Sequence, residues 1–183
     1  SFDKRRSAYF SKELITILRL IDKKKVKLEN LYGSWAGAHG NFQFMPSSIK
    51  NYAIDYDKDG QIDLVNSLED SFASAANYLK TIGWNKKISW GYKVISADKI
   101  DNSLVTIDAR KLKKTLSRND LINNKISIKN NKKAIGNFKL IRPDGKDGPI
   151  FLVTTNYEKL LNWNRSLRFA ITVGLFADLL KNA

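Results

Sequence analysis

No cysteine occurs in the 183 residues, which excludes disulfide scaffolds, cysteine zinc sites and thiol nucleophiles. The redox compartment stays open, since a chain without thiols suits any of them. There is one histidine, His39, set in a Gly/Ala-rich stretch, too few for a histidine metal site or a catalytic triad, so it reads as structural. No apolar run approaches the roughly 18 residues of a membrane span. Ser1 is followed directly by a helix-like pattern with neither Met nor an apolar signal region, so the native N-terminus is expected to lie upstream. What the chain does have is 43% apolar residues, enough for one sizeable core, or one core plus a small appendage, without staples.

Acidic residues are also scarce: 18 Asp and Glu stand against 32 Lys and Arg, a net charge of +14. Such an excess favours a polyanionic or acidic partner, although part of it reflects a general richness in Lys, Asn and Ile. The charge is uneven. Residues 1–50 carry 10 basic and 4 acidic groups, residues 51–80 carry 2 and 6, and residues 81–183 carry 20 and 8. Nucleic acid is a poor fit. No helix-turn-helix, zinc-finger or RRM pattern is present, and the acidic island would repel phosphates.

The chain is expected to divide into a helical core part, residues 1–87, a small β-containing lobe, 88–156, and a C-terminal helical segment, 157–183, that returns to the core. Phe10, Leu14, Ile17, Leu18 and Ile21 recur at helical spacing and predict an amphipathic helix with a core-facing stripe. The cations Lys23, Lys24, Lys25 and Lys27 then end it in solvent. Pro46-Ser47-Ser48 reads as a helix entry leading to Ile54. Ser67 to Leu79 predicts another helix, with Leu68, Phe72, Ala75, Ala76 and Leu79 inward and a glycine cap at Gly83. From Ile88 to Asn156 short β-branched runs appear: Lys93-Val94-Ile95, Leu104 to Ile107 and Phe138 to Ile141. The turn formers from Arg142 to Pro149 predict a hairpin. Helical spacing returns at Tyr157, and a last helix is predicted from Ser166 through Phe169, Val173, Phe176 and Leu180.

Asp55-Tyr56-Asp57-Lys58-Asp59-Gly60-Gln61-Ile62-Asp63 matches the first nine positions of an EF-hand loop. Carboxylates fall at positions 1, 3 and 5, glycine at 6, a backbone carbonyl at Gln61, an apolar residue at 8, and Asp63 at 9. Hard oxygen donors at this density suit Ca²⁺. Position 12 is Asn66 and not the usual bidentate Glu. A lengthened loop, residues 55–70, would close through Glu69 or Asp70, clamping two helices and not sensing calcium.

The segment Gly33-Ser34-Trp35-Ala36-Gly37-Ala38-His39-Gly40-Asn41-Phe42-Gln43-Phe44-Met45-Pro46-Ser47-Ser48 resembles the signature of the membrane-bound lytic murein transglycosylase B family. So do Asp3 to Arg6 with Phe10 to Leu14, the EF-hand-like loop, Ala75 to Tyr78 with Gly83-Trp84, Arg142 to Val153, and Asn162 to Ser166. The stretches keep the family's order over essentially the whole chain. The resemblance implies an α+β, mostly helical fold: a lysozyme-like transglycosylase lobe, incomplete at its N-terminus, with a small mixed β-containing lobe. It implies non-hydrolytic cleavage of the MurNAc-β-1,4-GlcNAc bond of peptidoglycan. One glutamic acid protonates the glycosidic oxygen and then acts as base, and the muramyl 6-hydroxyl attacks C1 to give a 1,6-anhydro product. Help from the substrate's own acetamido group makes a second carboxylate unnecessary.

The same resemblance assigns sugar contacts to Ser34, Gln43, Tyr78, Trp163 and Asn164. It assigns a structural Ca²⁺ to Asp55, Asp57, Asp59, Gln61 and Asp70, with Asp70 favoured over Glu69, and no organic cofactor. Where the family reads Tyr-Asn-x-Ser and another Tyr, this chain has Trp163-Asn164-Arg165-Ser166 and Phe169, losing two hydroxyls. The family's catalytic Glu lies upstream of Arg5-Arg6. None of the four glutamates here, Glu13, Glu29, Glu69 and Glu158, occupies its motif, so the chain is expected to be inactive alone. The implied partners are peptidoglycan glycan strands, in a monomer that is periplasmic or held at the outer membrane by an N-terminal anchor outside this chain. The alternative is a non-catalytic peptidoglycan-binding module.

Overall fold

The computed structural model describes residues 6–96, 100–128 and 136–181. The chain forms two compact units, Ser1–Gly83 and Trp84–Ala183.

The first unit holds α1 (Ser7–Asp22), α2 (Pro46–Tyr52) and α3 (Leu68–Thr81), with a short 3₁₀ turn at Leu28–Asn30. Pro46 opens α2, where its missing N–H costs nothing. The Ser67 hydroxyl caps α3 by accepting from the Asp70 amide at 3.1 Å. Gly83 follows α3 with φ +91°, the left-handed end that glycine adopts without a Cβ penalty.

These helices are placed as the spacing predicts, but two are rotated from the expected phase. On α1 the residues expected in the core, Leu14 and Leu18, are exposed, and the one buried residue is Glu13. Its carboxylate accepts the Ser47 amide at 2.8 Å, so α1 is seated on the N-terminus of α2 by a polar contact that hydrophobic periodicity does not register. On α3, Leu68 and Phe72 are exposed, while Asp70, Ser71, Ser74, Ala75 and Tyr78 are buried. The inward serines satisfy loop backbone: Ser71 donates to the Leu64 carbonyl at 3.0 Å, and Ser74 accepts from the Ile54 amide at 2.9 Å.

The second unit is built on a five-stranded sheet in the order β2-β4-β5-β1-β3. The strands are β1 (Gly91–Ser96), β2 (Val105–Thr106), β3 (Ser127–Ile128), β4 (Lys139–Ile141) and β5 (Phe151–Val153). β2 and β4 are parallel and the other pairs antiparallel. The turn-rich stretch from Arg142 to Pro149 does join an antiparallel pair, with Leu140 opposite Leu152. The core combines Val105, Leu116, Leu121, Ile126, Ile128, Phe138, Leu140 and Leu152. Two elements lay outside the sequence reading: β3 and the six-residue α4 (Arg118–Asn123), which is fixed by a reciprocal Ser117–Asp120 capping box.

The unit continues through α5 (Thr155–Trp163) and α6 (Leu167–Lys181). α6 also turns the face opposite to the predicted one inward. Leu167, Ala170, Ile171 and Gly174 are buried, whereas Phe169, Val173, Phe176 and Leu180 are exposed. Trp90 sets this phase: its indole lies where a Cβ on residue 174 would sit, and its Nε1 donates to Asp178 Oδ2 at 2.9 Å, one turn further on.

Candidate functional site

All but two of the sequence-predicted site residues belong to the first unit: Tyr78 and Asp70 stand on α3 and the others fall on two loops. The first, residues 33–44, is folded by backbone bridges that share one residue: His39 pairs with Gly33 on one side and with Phe44 on the other. Amide and carbonyl are exchanged between His39 and Phe44 at 3.0 and 2.9 Å. Ser34 and Gln43 therefore stand next to the two residues flanking His39, although nine positions separate them in sequence.

Both are exposed. The Ser34 hydroxyl accepts the Ala38 amide at 3.2 Å, so it serves the turn as well as facing solvent. Gln43 has a left-handed backbone (φ 53°), and its Nε2 donates to the Gly40 carbonyl at 3.1 Å. Gly40 (φ +76°) is required at its position, because a Cβ there would lie 2.6 Å from the Leu64 carbonyl oxygen. Tyr78 is buried under the loop, its ring 5.9 Å from Phe44 and 4.8 Å from Tyr52. Burial, and then the neighbouring Tyr52, push its phenol pKa up.

Beside Ser34 lies a cavity of about 380 Å³, bounded by Phe10, Glu13 and Ile17 of α1 and by Trp35, His39 and Pro46 among others. Trp35 is 91% exposed. Gln43 and Tyr78 do not line this cavity. The two remaining predicted contacts, Trp163 and Asn164, lie in the second unit, at the last residue and C-cap of α5; Trp163 is half-buried and Asn164 exposed.

The second loop is the acidic one. Asp55, Asp57 and Asp59 each offer an oxygen within 4.8 Å of the others. The chain turns at Gly60 (φ +96°), whose amide donates to Asp55 Oδ2 at 3.0 Å. Asp55 Oδ1 is buried with no hydrogen-bond partner, a costly position for a carboxylate oxygen unless a cation meets it. At Asp57 the Asp59 amide pulls the pKa down, but desolvation and the carboxylates of Asp59, Asp70 and Asp55 together outweigh it and the net shift is upward. That is the response of acids crowded without a counter-charge. The donor set fits a hard divalent cation such as Ca²⁺.

Asp70 is outside the 4.8 Å set. Buried at the start of α3, it accepts the Tyr56 amide at 2.7 Å and the Asp63 amide at 2.9 Å, tying the entry and exit of the loop to the helix. Glu69 is exposed, in a shallow depression with Tyr56, Leu68 and Phe72. Asp63 has its own partners, the amides of Val65 and Asn66 and the side chains of Asn66 and Asn30. Desolvation raises its pKa, but these hydrogen bonds prevail and hold it low. Sequence reading missed Asn41, which ties the first loop to the acidic one, and Asn30, which ties the 3₁₀ turn to Asp63, and an asparagine in such a position carries no signal of the role.

The class of this arrangement of helices, bridged loop and acidic loop is given by its likeness to solved lytic transglycosylases of lysozyme-like fold. A sequence profile of the transglycosylase SLT domain matches residues 1–178, and the chain belongs to that family. Over 82 residues, 45% of this chain and 22% of the other, it is 49% identical to membrane-bound lytic murein transglycosylase B of Escherichia coli K12. The crystal structure of SltB3 from Pseudomonas aeruginosa in complex with NAG-anhNAM-pentapeptide superposes with a TM-score of 0.86 at 31% identity, over 98% of this chain and 48% of that one. The E. coli lytic transglycosylase Slt35 in complex with calcium gives a TM-score of 0.78 at 29% identity, over 100% of this chain and 57% of that one. The chain thus spans about half the length of the solved relatives it matches. No helix among the described residues is long and apolar enough to cross a membrane.

Proposed function

We propose that this chain forms part of a lytic murein transglycosylase of the bacterial periplasm or outer membrane, binding peptidoglycan glycan strands for cleavage of the MurNAc-β-1,4-GlcNAc bond to a 1,6-anhydromuramyl product. The observation that carries the reading is the bridged loop, which holds exposed Ser34 and Gln43 to either side of His39, with the Tyr78 ring 5.9 Å from Phe44 of the same loop. Neutral donors and acceptors of this kind suit acetamido and hydroxyl groups, and exposed rings suit sugar faces. Trp163 and Asn164 offer groups of the same chemistry within the second unit. SltB3 is in complex with a NAG-anhNAM-pentapeptide, a product of this chemical class.

The general acid comes from outside these residues. Glu13 is engaged with the Ser47 amide and Glu158 with Lys139 at 3.0 Å, Glu69 is exposed, and Glu29 sits in the 3₁₀ turn. Asp55, Asp57, Asp59 and the Gln61 carbonyl would hold a structural Ca²⁺ in the acidic loop, with Asp70 closing the loop onto α3, and the ion would neutralise carboxylates that otherwise repel.

The same lack of a placed acid favours the second reading, a peptidoglycan-binding module that does not cleave. The test is to incubate the chain with purified sacculi and with short N-acetylglucosamine oligomers. Binding that Ser34→Ala and Gln43→Ala each weaken, with no anhydromuropeptide released, is expected. Release by this chain overturns the missing-acid argument, and absence of any binding overturns the glycan reading. An extended gene product that still fails to cleave selects the binding module.

A further inference from the structure

We infer that Asn41 is a positioning residue that couples the glycan loop to the acidic loop, so that a divalent cation bound at Asp55–Asp59 and a glycan bound at Gln43 strengthen each other's binding. The inference rests on the proposed glycan and cation sites and concerns the connection between them.

Asn41 lies two residues before Gln43 and makes three hydrogen bonds to the far side of the acidic loop. Its amide donates to the Leu64 carbonyl at 2.8 Å. Its Nδ2 donates to the Val65 carbonyl and to Ser71 Oγ, both at 3.1 Å. Leu64 and Val65 form the arm by which the chain leaves the acidic loop, and Ser71 is in the first turn of α3. The arm is held in turn by the Asp63 amide on Asp70 Oδ2 and by the Ile62 amide on the Lys25 carbonyl, at 2.9 and 2.8 Å.

The glycan loop has no slack at this point. Gly40 is packed against the Leu64 backbone with no room for a Cβ, and Gln43, with its left-handed backbone, is hydrogen-bonded through both its amide and its Nε2 to the Gly40 carbonyl. A displacement of Leu64 and Val65 is therefore carried to Gln43.

The acidic loop supplies the two states. Without a cation, the crowded oxygens of Asp55, Asp57 and Asp59 drive it toward a splayed arrangement; with one, they are drawn together. Asn41 transmits the difference, and linkage requires the effect to run equally in both directions.

The experiment measures the affinity of the 183-residue chain for N-acetylglucosamine hexamer by calorimetry, with chelator and with saturating Ca²⁺, and the affinity for Ca²⁺ with and without hexamer. Calcium is expected to tighten hexamer binding about fivefold, with an equal reciprocal effect. Asn41→Leu, which keeps the volume and removes the amide, is expected to bring the coupling close to onefold while Ca²⁺ affinity without glycan stays at the parent value. Ser71→Ala, which takes one acceptor from Asn41, is expected to reduce the coupling by part, and it decides the matter should Asn41→Leu fail to fold. Full coupling in the variants, or no coupling in the parent chain, overturns the inference alone. A parent chain that binds Ca²⁺ but no hexamer overturns the glycan reading with it, and one that binds hexamer but no Ca²⁺ overturns the cation site with it.

Discussion

His39, the only imidazole, is buried between two backbone bridges, and burial pushes its pKa below the ordinary value near 6.5. A neutral imidazole in the fold and a more basic one in the unfolded chain set the sign: the unfolded state takes up the proton first. The stabilisation is therefore fully present above about pH 6.5 and is lost as pH falls through 6.5 toward the lowered folded value, with a slope of at most about 1.4 kcal/mol per pH unit. His39→Gln is expected to flatten the stability profile between pH 5 and 6.5. Urea unfolding at closely spaced pH values measures this, and parallel profiles for the two proteins would contradict the assignment. Gly174 makes the complementary case in packing. Its missing side chain admits the Trp90 ring, so Gly174→Ala is expected to destabilise the second unit by about 1–3 kcal/mol through overpacking. Thermal melts followed by Trp fluorescence report it, and an unchanged midpoint would show that α6 can move aside.

The acidic loop gives the clearest expectation at the level of an element. A ligand that binds only the folded state stabilises it by mass action, about 2.7 kcal/mol at a hundredfold excess over its Kd. Saturating Ca²⁺ is therefore expected to raise the melting temperature by several degrees, and Asp55→Asn, which alters the carboxylate with the orphaned Oδ1, is expected to lose most of the shift. An equal shift in that variant, or none in the parent, would contradict the cation site. This loop was legible in the sequence because its chemistry is local: carboxylates at alternate positions and a glycine at the turn. The hairpin from Phe138 to Val153 was legible for the same reason. Helix positions were legible too, but the buried faces of α1, α3 and α6 were not. Each is set by a contact that hydrophobic periodicity does not encode: Glu13 on the Ser47 amide, Ser74 on Ile54, and Trp90 against Gly174. β3 and α4 escaped notice because neither forms an apolar run: Arg118–Asn123 is mostly polar and is fixed by its Ser117–Asp120 capping box, and Ser127–Ile128 is only two residues set among Asn and Lys.

For the molecule as a whole, the net charge of +14 acts at longer range than any contact in the loops. Peptidoglycan carries carboxylates on its muramyl groups and stem peptides, whereas N-acetylglucosamine oligomers are neutral. On the proposed reading, the cations would attract the wall as a field, and the exposed loop residues would recognise the sugar by short hydrogen bonds. Salt separates the two contributions, because charges further apart than the Debye length, about 10 Å at 0.1 M and 3 Å at 1 M, are screened while hydrogen bonds at contact are not. Raising NaCl from 0.05 to 0.5 M is therefore expected to weaken association with intact sacculi by at least about tenfold and to leave the affinity for a neutral hexamer within about twofold. Co-sedimentation with sacculi and calorimetry with the hexamer provide the two measurements. Equal salt sensitivity for both ligands would mean that the positive charge acts within the sugar site itself, and insensitivity of both would mean that it plays no part in holding the wall.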